Sequence, residues 1–224
     1  MIRPLSPEPP EPLADFLDYL KSLVIGDAIV HHQLIPPRPE RLAEDQGQLP
    51  PLVQQVVRAA GIEQLYSHQA EGIAQILAGQ HVVVATPTAS GKTLIYNAAV
   101  LASLLEDPTG HALYLFPLKA LEQDQLDEAL TLIEHLGGTL RAAVYDGDTP
   151  DYQRKKIKAA PPQILISTPD MLHAGMLAFH EQWAGFFAKL RYVVIDELHT
   201  YSGIFGTHVL HLFRRLNRLC AFYG

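Results

Sequence analysis

Five short apolar runs punctuate the chain at Val82–Ala85, Ala112–Phe116, Ala142–Tyr145, Ile164–Ser167 and Tyr192–Ile195. Runs of this length without polar alternation need cover on both faces, which strands of a parallel sheet receive from flanking helices. The intervening segments supply such helices. Leu126, Ala129, Leu130, Ile133 and Leu136 recur at helical spacing, as do Val209, Leu212, Phe213, Leu216 and Leu219. The alternation predicts an α/β domain of the doubly wound kind, a mainly parallel sheet flanked by helices. Ligands of such sheets bind beyond the carboxyl ends of the strands, so the residues just after each run are the ones that carry function.

This pattern occupies residues 51–224. Residues 1–50 are proline-dotted and acidic and read as a small N-terminal extension, a lid or docking segment. It holds an amphipathic piece from Leu13 to Leu23 and a short apolar stretch from Ala28 to Ile35. The segment from Pro7 to Pro12 is expected to be flexible, because such a composition buries too little surface to offset its chain entropy. With 224 residues, 48% of them hydrophobic, the chain can bury one good core and a small appendage. No apolar run approaches the roughly 20 residues of a membrane-spanning helix, and no basic-then-apolar signal opens the chain. The expectation is a soluble intracellular protein, cytoplasmic in a bacterium and nuclear in a eukaryote. Cys220 is the single cysteine, which excludes an internal disulfide or a cysteine zinc site. The formal charge of -7 argues against a surface that is basic all over, so any nucleic-acid binding must use local patches.

The first run leads into Thr86-Pro87-Thr88-Ala89-Ser90-Gly91-Lys92-Thr93, followed by a helix-forming stretch. A loop between a strand and a helix N-terminus offers free backbone amides to phosphate groups, and the helix dipole adds a favourable field. Thr88, Ala89, Ser90 and Gly91 would form this cradle. Lys92 would reach the β and γ phosphates of ATP, and the Thr93 hydroxyl would ligate Mg²⁺. Thr86 and Ala89 stand where P-loops usually carry glycine. The last run ends in Asp196-Glu197-Leu198-His199. A carboxylate at a strand end beside a P-loop can hold Mg²⁺ through water, the role given to Asp196. Glu197, pointing elsewhere, is placed to orient and deprotonate an attacking water.

Together these segments resemble the first RecA-like domain of superfamily 2 helicases, with Gly91-Lys92-Thr93 as motif I and Asp196-Glu197-Leu198-His199 as a DExH motif II. Tyr66-Ser67-His68-Gln69 resembles the Q motif. The resemblance makes Gln69 the adenine contact and Tyr66 its stacking neighbour, and gives His199 the coupling of nucleotide site to nucleic acid. Phe116-Pro117-Leu118-Lys119-Ala120-Leu121 resembles motif Ia, and Thr168-Pro169-Asp170-Met171-Leu172 resembles motif Ib. The resemblance thus assigns Lys119, Thr168 and Pro169 to the nucleic-acid backbone. Thr168-Pro169 is also a good helix start in its own right.

The segment from Asp196 to Val209, with Arg214, Arg215 and Arg218, is similar to the branch containing the bacterial mitomycin-repair helicase and the fungal RecQ-like repair helicase. That similarity implies a motor moving 3′ to 5′ on single-stranded DNA. Arg154-Lys155-Lys156 with Lys158, and the three arginines near the end, are basic clusters that read either as solvated faces or as DNA contacts. The family cleaves ATP between two RecA-like domains, and no Ser-Ala-Thr motif III lies within the sequence. The chain is therefore expected to be the ATP-binding half of a longer helicase, nearly inactive alone. An RNA helicase domain and a non-hydrolysing ATP-gated binding module remain as alternatives.

Overall fold

The computed structural model describes residues 13–23, 31, 41–43, 49–86 and 90–224. The Pro7–Pro12 segment, nearly all of Ala28–Ile35, and Pro87, Thr88 and Ala89 of the phosphate loop lie outside the described residues. The chain divides into two compact units, Met1–Glu40 and Arg41–Gly224. In the first, the amphipathic piece forms helix α1 (Leu13–Ser22), with Ser22 Oγ donating to the Tyr19 carbonyl over 2.7 Å. The second begins ten residues before the composition changes. Leu42 forms an antiparallel bridge with Tyr66, and Ala43 and Ser67 each donate across it to Leu65 and Arg41.

Four strands form a parallel sheet in the order β2-β3-β1-β4: β1 (His111–Leu115), β2 (Ala142–Val144), β3 (Ile164–Ser167) and β4 (Leu190–Ile195). Each falls on an apolar run of the sequence. Successive side chains of a strand point to opposite faces. Ala112, Tyr114, Ile164 and Ile166 therefore enter one core with α2 (Pro51–Ala59), α3 (Ser67–Leu77), α4 (Lys92–Glu106) and α5 (Lys119–His135). Leu113, Leu115 and Leu165 enter the other. There they meet Ile157 of α6 (Asp151–Ala159), Phe186 and Phe187 of α8 (Ala184–Ala188), Trp183, and Leu212 and Leu216 of α9 (Gly203–Tyr223).

Between β3 and β4 the chain is less regular. A short α7 (Pro169–Met171) runs into one turn of π-helix over Leu172–Met176 and a 3₁₀ stretch over Leu177–Trp183. Phe179 breaks the helical path with φ -120° and ψ 38°.

Helix α4 is enclosed on nearly all sides, and nine of its residues are buried. Ala98, Ala99 and Ala102 keep its surface flat enough for close approach. Its one polar residue in that set, Asn97, accepts a 3.0 Å hydrogen bond from the Tyr114 hydroxyl, which offsets the cost of burying an amide.

The first apolar run departs from expectation. Val82–Ala85 is not a strand of the sheet, and Val83 is 75% exposed. A strand needs a ladder partner for its backbone groups. Here a cleft of about 660 Å³ separates residues 81–84 from Tyr192–Ile195 of β4, the outer strand, whose Val193 is itself 39% exposed. Apolar composition marked the run as a strand, but hydrogen bonding depends on what lies beside it.

This difference is measurable. Leu101→Ala, in fully buried α4, should lower unfolding free energy by about 2–5 kcal/mol, whereas Val83→Ala should change it by no more than about 0.5 kcal/mol. Urea denaturation of the two variants checks this, and a large loss at Val83 would place the run in a packed layer.

Candidate active site

Gly91 turns the phosphate loop into α4 with φ 72° and ψ 34°, a left-handed conformation that glycine adopts without strain. A Cβ there would also lie within 2.3 Å of Gln69 Nε2. That amide is where the Q-motif segment meets the loop. Gln69 is buried; its Oε1 accepts from the Tyr66 backbone N–H at 2.9 Å and its Nε2 donates to the Gly91 carbonyl at 3.1 Å. The first bond completes a capping box at the start of α3, and the second ties α3 to the loop. His68 Nε2 lies 3.1 Å from the Ser90 carbonyl, and Tyr66 stacks on the His68 ring with centroids 5.8 Å apart. Gln69 thus commits one donor and one acceptor to shaping the loop, and the half-exposed Tyr66 ring stacks on its neighbour His68.

Within the loop, the Thr86 and Ser90 hydroxyls pair, and Lys92 Nζ donates to the Thr86 carbonyl at 3.1 Å. Lys92 and Thr93 open α4, and one turn on, Tyr96 shares the Thr93 side of the helix. The Tyr96 hydroxyl donates to Gln125 Oε1 at 2.9 Å and lies 3.4 Å from Asp196 Oδ2, and the Thr93 side chain acts on it from the same helix. Burial, then the Asp196 charge, push the Tyr96 phenol far above its ordinary value, so it stays a neutral hydrogen-bonding group. Thr93 and Asp196, more than a hundred residues apart, therefore converge on one hydroxyl. Their donors are all oxygen, the chemistry a hard divalent cation takes.

Asp196 follows β4 directly, its N–H donating to the Leu115 carbonyl at 3.1 Å. Glu197 N–H then donates to Asp196 Oδ1 at 2.7 Å. Glu197 is the one non-glycine residue with positive φ among the described residues, at 49°. Such a conformation is strained and persists where the surroundings enforce it. The Glu197 carboxylate lies 3.2 Å from His199 Nδ1. Tyr201 adds a buried hydroxyl with no hydrogen-bond partner. Burial and then Asp196 push it up to about 12. Tyr96 had a signal in the sequence, three residues after Thr93 on one helix; Gln125 and Tyr201 had none, because only packing brings them here.

The candidate nucleic-acid residues lie beyond the ends of β1 and β3. Lys119 Nζ pairs with Asp148 Oδ2 at 2.9 Å, an exposed contact worth little in water and open to exchange for a phosphate. Thr168 is buried, and its Oγ1 accepts the Met171 N–H at 3.2 Å as the cap of α7, with Pro169 at the first helical position. The loop after β2 is built on Asp146, whose Oδ1 accepts from the Asp148 and Thr149 backbones and the Thr149 hydroxyl at 3.0, 2.8 and 2.7 Å. Burial pushes Asp146 up, but these donors hold it below its ordinary value. Beside it lies Glu122, buried and without a hydrogen-bond partner on either oxygen. Burial first, then the Asp146 charge, raise Glu122 from 4.5 to about 7.

Known proteins share this chain's sequence and fold. The sequence model described as DEAD/DEAH box helicase matches residues 66–222. The ATP-dependent helicase YprA of Bacillus subtilis is 47% identical over 180 residues, covering 79% of this chain and 24% of that protein. The ATP-dependent helicase Hrq1 of Schizosaccharomyces pombe is 39% identical over 180 residues, covering 78% of this chain and 17% of that one. Among solved structures, the helicase MrfA bound to DNA and AMPPNP superposes with a TM-score of 0.81 at 41% identity, covering 89% of this chain and 29% of MrfA. The chain thus spans about a quarter or less of the curated relatives' length.

Glu122 gives the geometry a pH signature. A carboxyl whose folded-state value is raised holds its proton in the fold, so stability falls as pH rises from about 4.5 through about 7 and the penalty is complete above that. Glu122→Gln should raise unfolding free energy at pH 8 by an amount on the order of 1–3 kcal/mol and leave it unchanged at pH 4. Denaturant titrations at both values check this; equal effects at the two would show that Glu122 does not titrate in this window.

Proposed function

The chain belongs to the DEAD/DEAH box helicase family, and from that premise we propose that it is the ATP-binding half of a DNA-translocating helicase motor used in DNA repair. The observation that carries the proposal is the 3.4 Å approach of the Tyr96 hydroxyl, one turn of α4 beyond Thr93, to Asp196 at the end of β4. In this role Lys92 exchanges the Thr86 carbonyl for the β and γ phosphates of ATP. Thr93 and Asp196 hold Mg²⁺, which would neutralise phosphate charge when bound. Gln69 turns its remaining amide hydrogen-bonding capacity toward adenine, and Tyr66 packs on the base.

Glu197 orients water and accepts its proton. Its left-handed backbone separates that carboxylate from the metal-holding Asp196, so the two acids divide metal binding from base catalysis. His199, at 3.2 Å, reports the state of Glu197 toward the nucleic-acid side. Lys119, Thr168 and Pro169 face the DNA backbone. A second RecA-like domain completes the motor with an arginine finger, which in phosphoryl transfer contributes about 10³ to 10⁵ in rate. The relatives' greater length supports this partner, and the DNA in the MrfA complex supports DNA over RNA.

Lys92→Ala should weaken Mg-ATP binding by about ten- to a hundred-fold, the worth of a charge-assisted phosphate contact. Glu197→Gln should leave binding intact and abolish DNA-stimulated phosphate release when the second domain is present. Calorimetry of this chain and phosphate release from the longer protein separate the two. Parent-like Mg-ATP affinity in Lys92→Ala would overturn the phosphate-loop assignment.

A further inference from the structure

Helix α6 carries a basic cluster that the nucleotide site leaves unused. Its Arg154 is fully engaged, with Nε donating to the Thr149 carbonyl at 2.7 Å and Nη2 to the Asp146 and Gly147 carbonyls at 3.0 and 2.7 Å. It braces the loop whose Asp148 holds Lys119. Lys155 and Lys158 instead face a groove of about 350 Å³ with Tyr145 and Gly175 among its lining residues. Phe179, 53% exposed, stands on the wall of this groove, and Lys158 Nζ lies 5.8 Å from the ring centroid while donating to Gln182 Oε1 at 3.1 Å.

Three features distinguish this groove from an ordinary solvated face. The chain leaves regular helix to present the ring: a π-turn precedes Phe179, and Phe179 has non-helical dihedrals. Such irregular turns concentrate at functional sites. Gly175 lets the backbone come close, since a Cβ there would meet Met171 Cε at 2.2 Å and Tyr145 at 3.2 Å. Lys155 and Lys158 face the groove, whose lining includes a single acid, Asp151. Met171, which also lines the groove, is the residue whose N–H is held by Thr168. The groove therefore adjoins both candidate backbone contacts, Thr168 through Met171 and Lys119 through the loop that Arg154 braces.

An exposed aromatic face beside flexible cations matches the chemistry of a single-stranded nucleic acid, whose bases stack and whose phosphates pair with lysine. We propose that this groove is a further single-strand contact, in which one base stacks on Phe179 and the flanking phosphates are taken by Lys155 and Lys158. The inference rests on the nucleic-acid reading of Lys119 and Thr168 and extends it beyond backbone contacts.

Anisotropy with a labelled single-stranded DNA tests it on this chain. Phe179→Ala should weaken binding by about 5- to 150-fold, the worth of one stacked base, and Phe179→Tyr should restore it. An abasic site scanned along the oligonucleotide should weaken the parent at one register and leave Phe179→Ala unaffected there. Lys155→Ala and Lys158→Ala should each lower the salt dependence, by about 0.7 in the log–log slope per phosphate lost. Unchanged affinity in Phe179→Ala, while Lys119→Ala and Thr168→Ala lose affinity, would overturn this inference and leave the proposed function standing. A parent chain that binds no single-stranded DNA at low salt would overturn both.

Discussion

Nine residues of α4 are buried, so the helix must be walled by α2 and α3 on one side and by the sheet on the other. Burying leucine, isoleucine or valine contributes about 1.5–3 kcal/mol each, and α4 supplies several of these together with alanines that allow close packing. This enclosure fixes where the helix starts. Lys92 and Thr93 arrive beside the end of β4 because the helix that bears them cannot shift without opening the core. Tyr96 marks the junction, its hydroxyl caught between Gln125 and Asp196.

The polar site is then arranged by conformation as much as by charge. Two adjacent carboxylates at the end of a strand would repel each other and compete for one cation. Glu197, held in a left-handed backbone conformation, has its carboxylate 3.2 Å from His199. Gln69 does the comparable work on the other side, occupying the space that the absence of a Cβ at Gly91 leaves open. Glycine at 91 thus answers both the positive φ and this contact.

The formal charge of -7 coexists with a basic path because the positive groups are local and partly held. Arg154 serves the backbone, Lys119 rests on Asp148, and Lys155 and Lys158 face an aromatic groove. An ion pair as exposed as Lys119 with Asp148 costs little to exchange for phosphate. The buried Glu122 nearby is different: its charge is costly, and the fold keeps it protonated toward neutrality.

Sequence alone determined the class of fold, because unbroken apolar runs between helical segments can be buried in few ways, and four of the five runs are strands. It also marked the segments after two of these runs, Gly91-Lys92-Thr93 and Asp196-Glu197, as the candidate site, since those residue types follow their runs directly. The fifth run, Val82–Ala85, shows the limit: apolarity is a property of the segment, but a ladder belongs to two segments, and only the tertiary structure decides whether a neighbour is present. The same holds for Gln125 and the Phe179 groove. Their roles come from contacts across long separations and from a helical break that no periodicity encodes, so packing decided them.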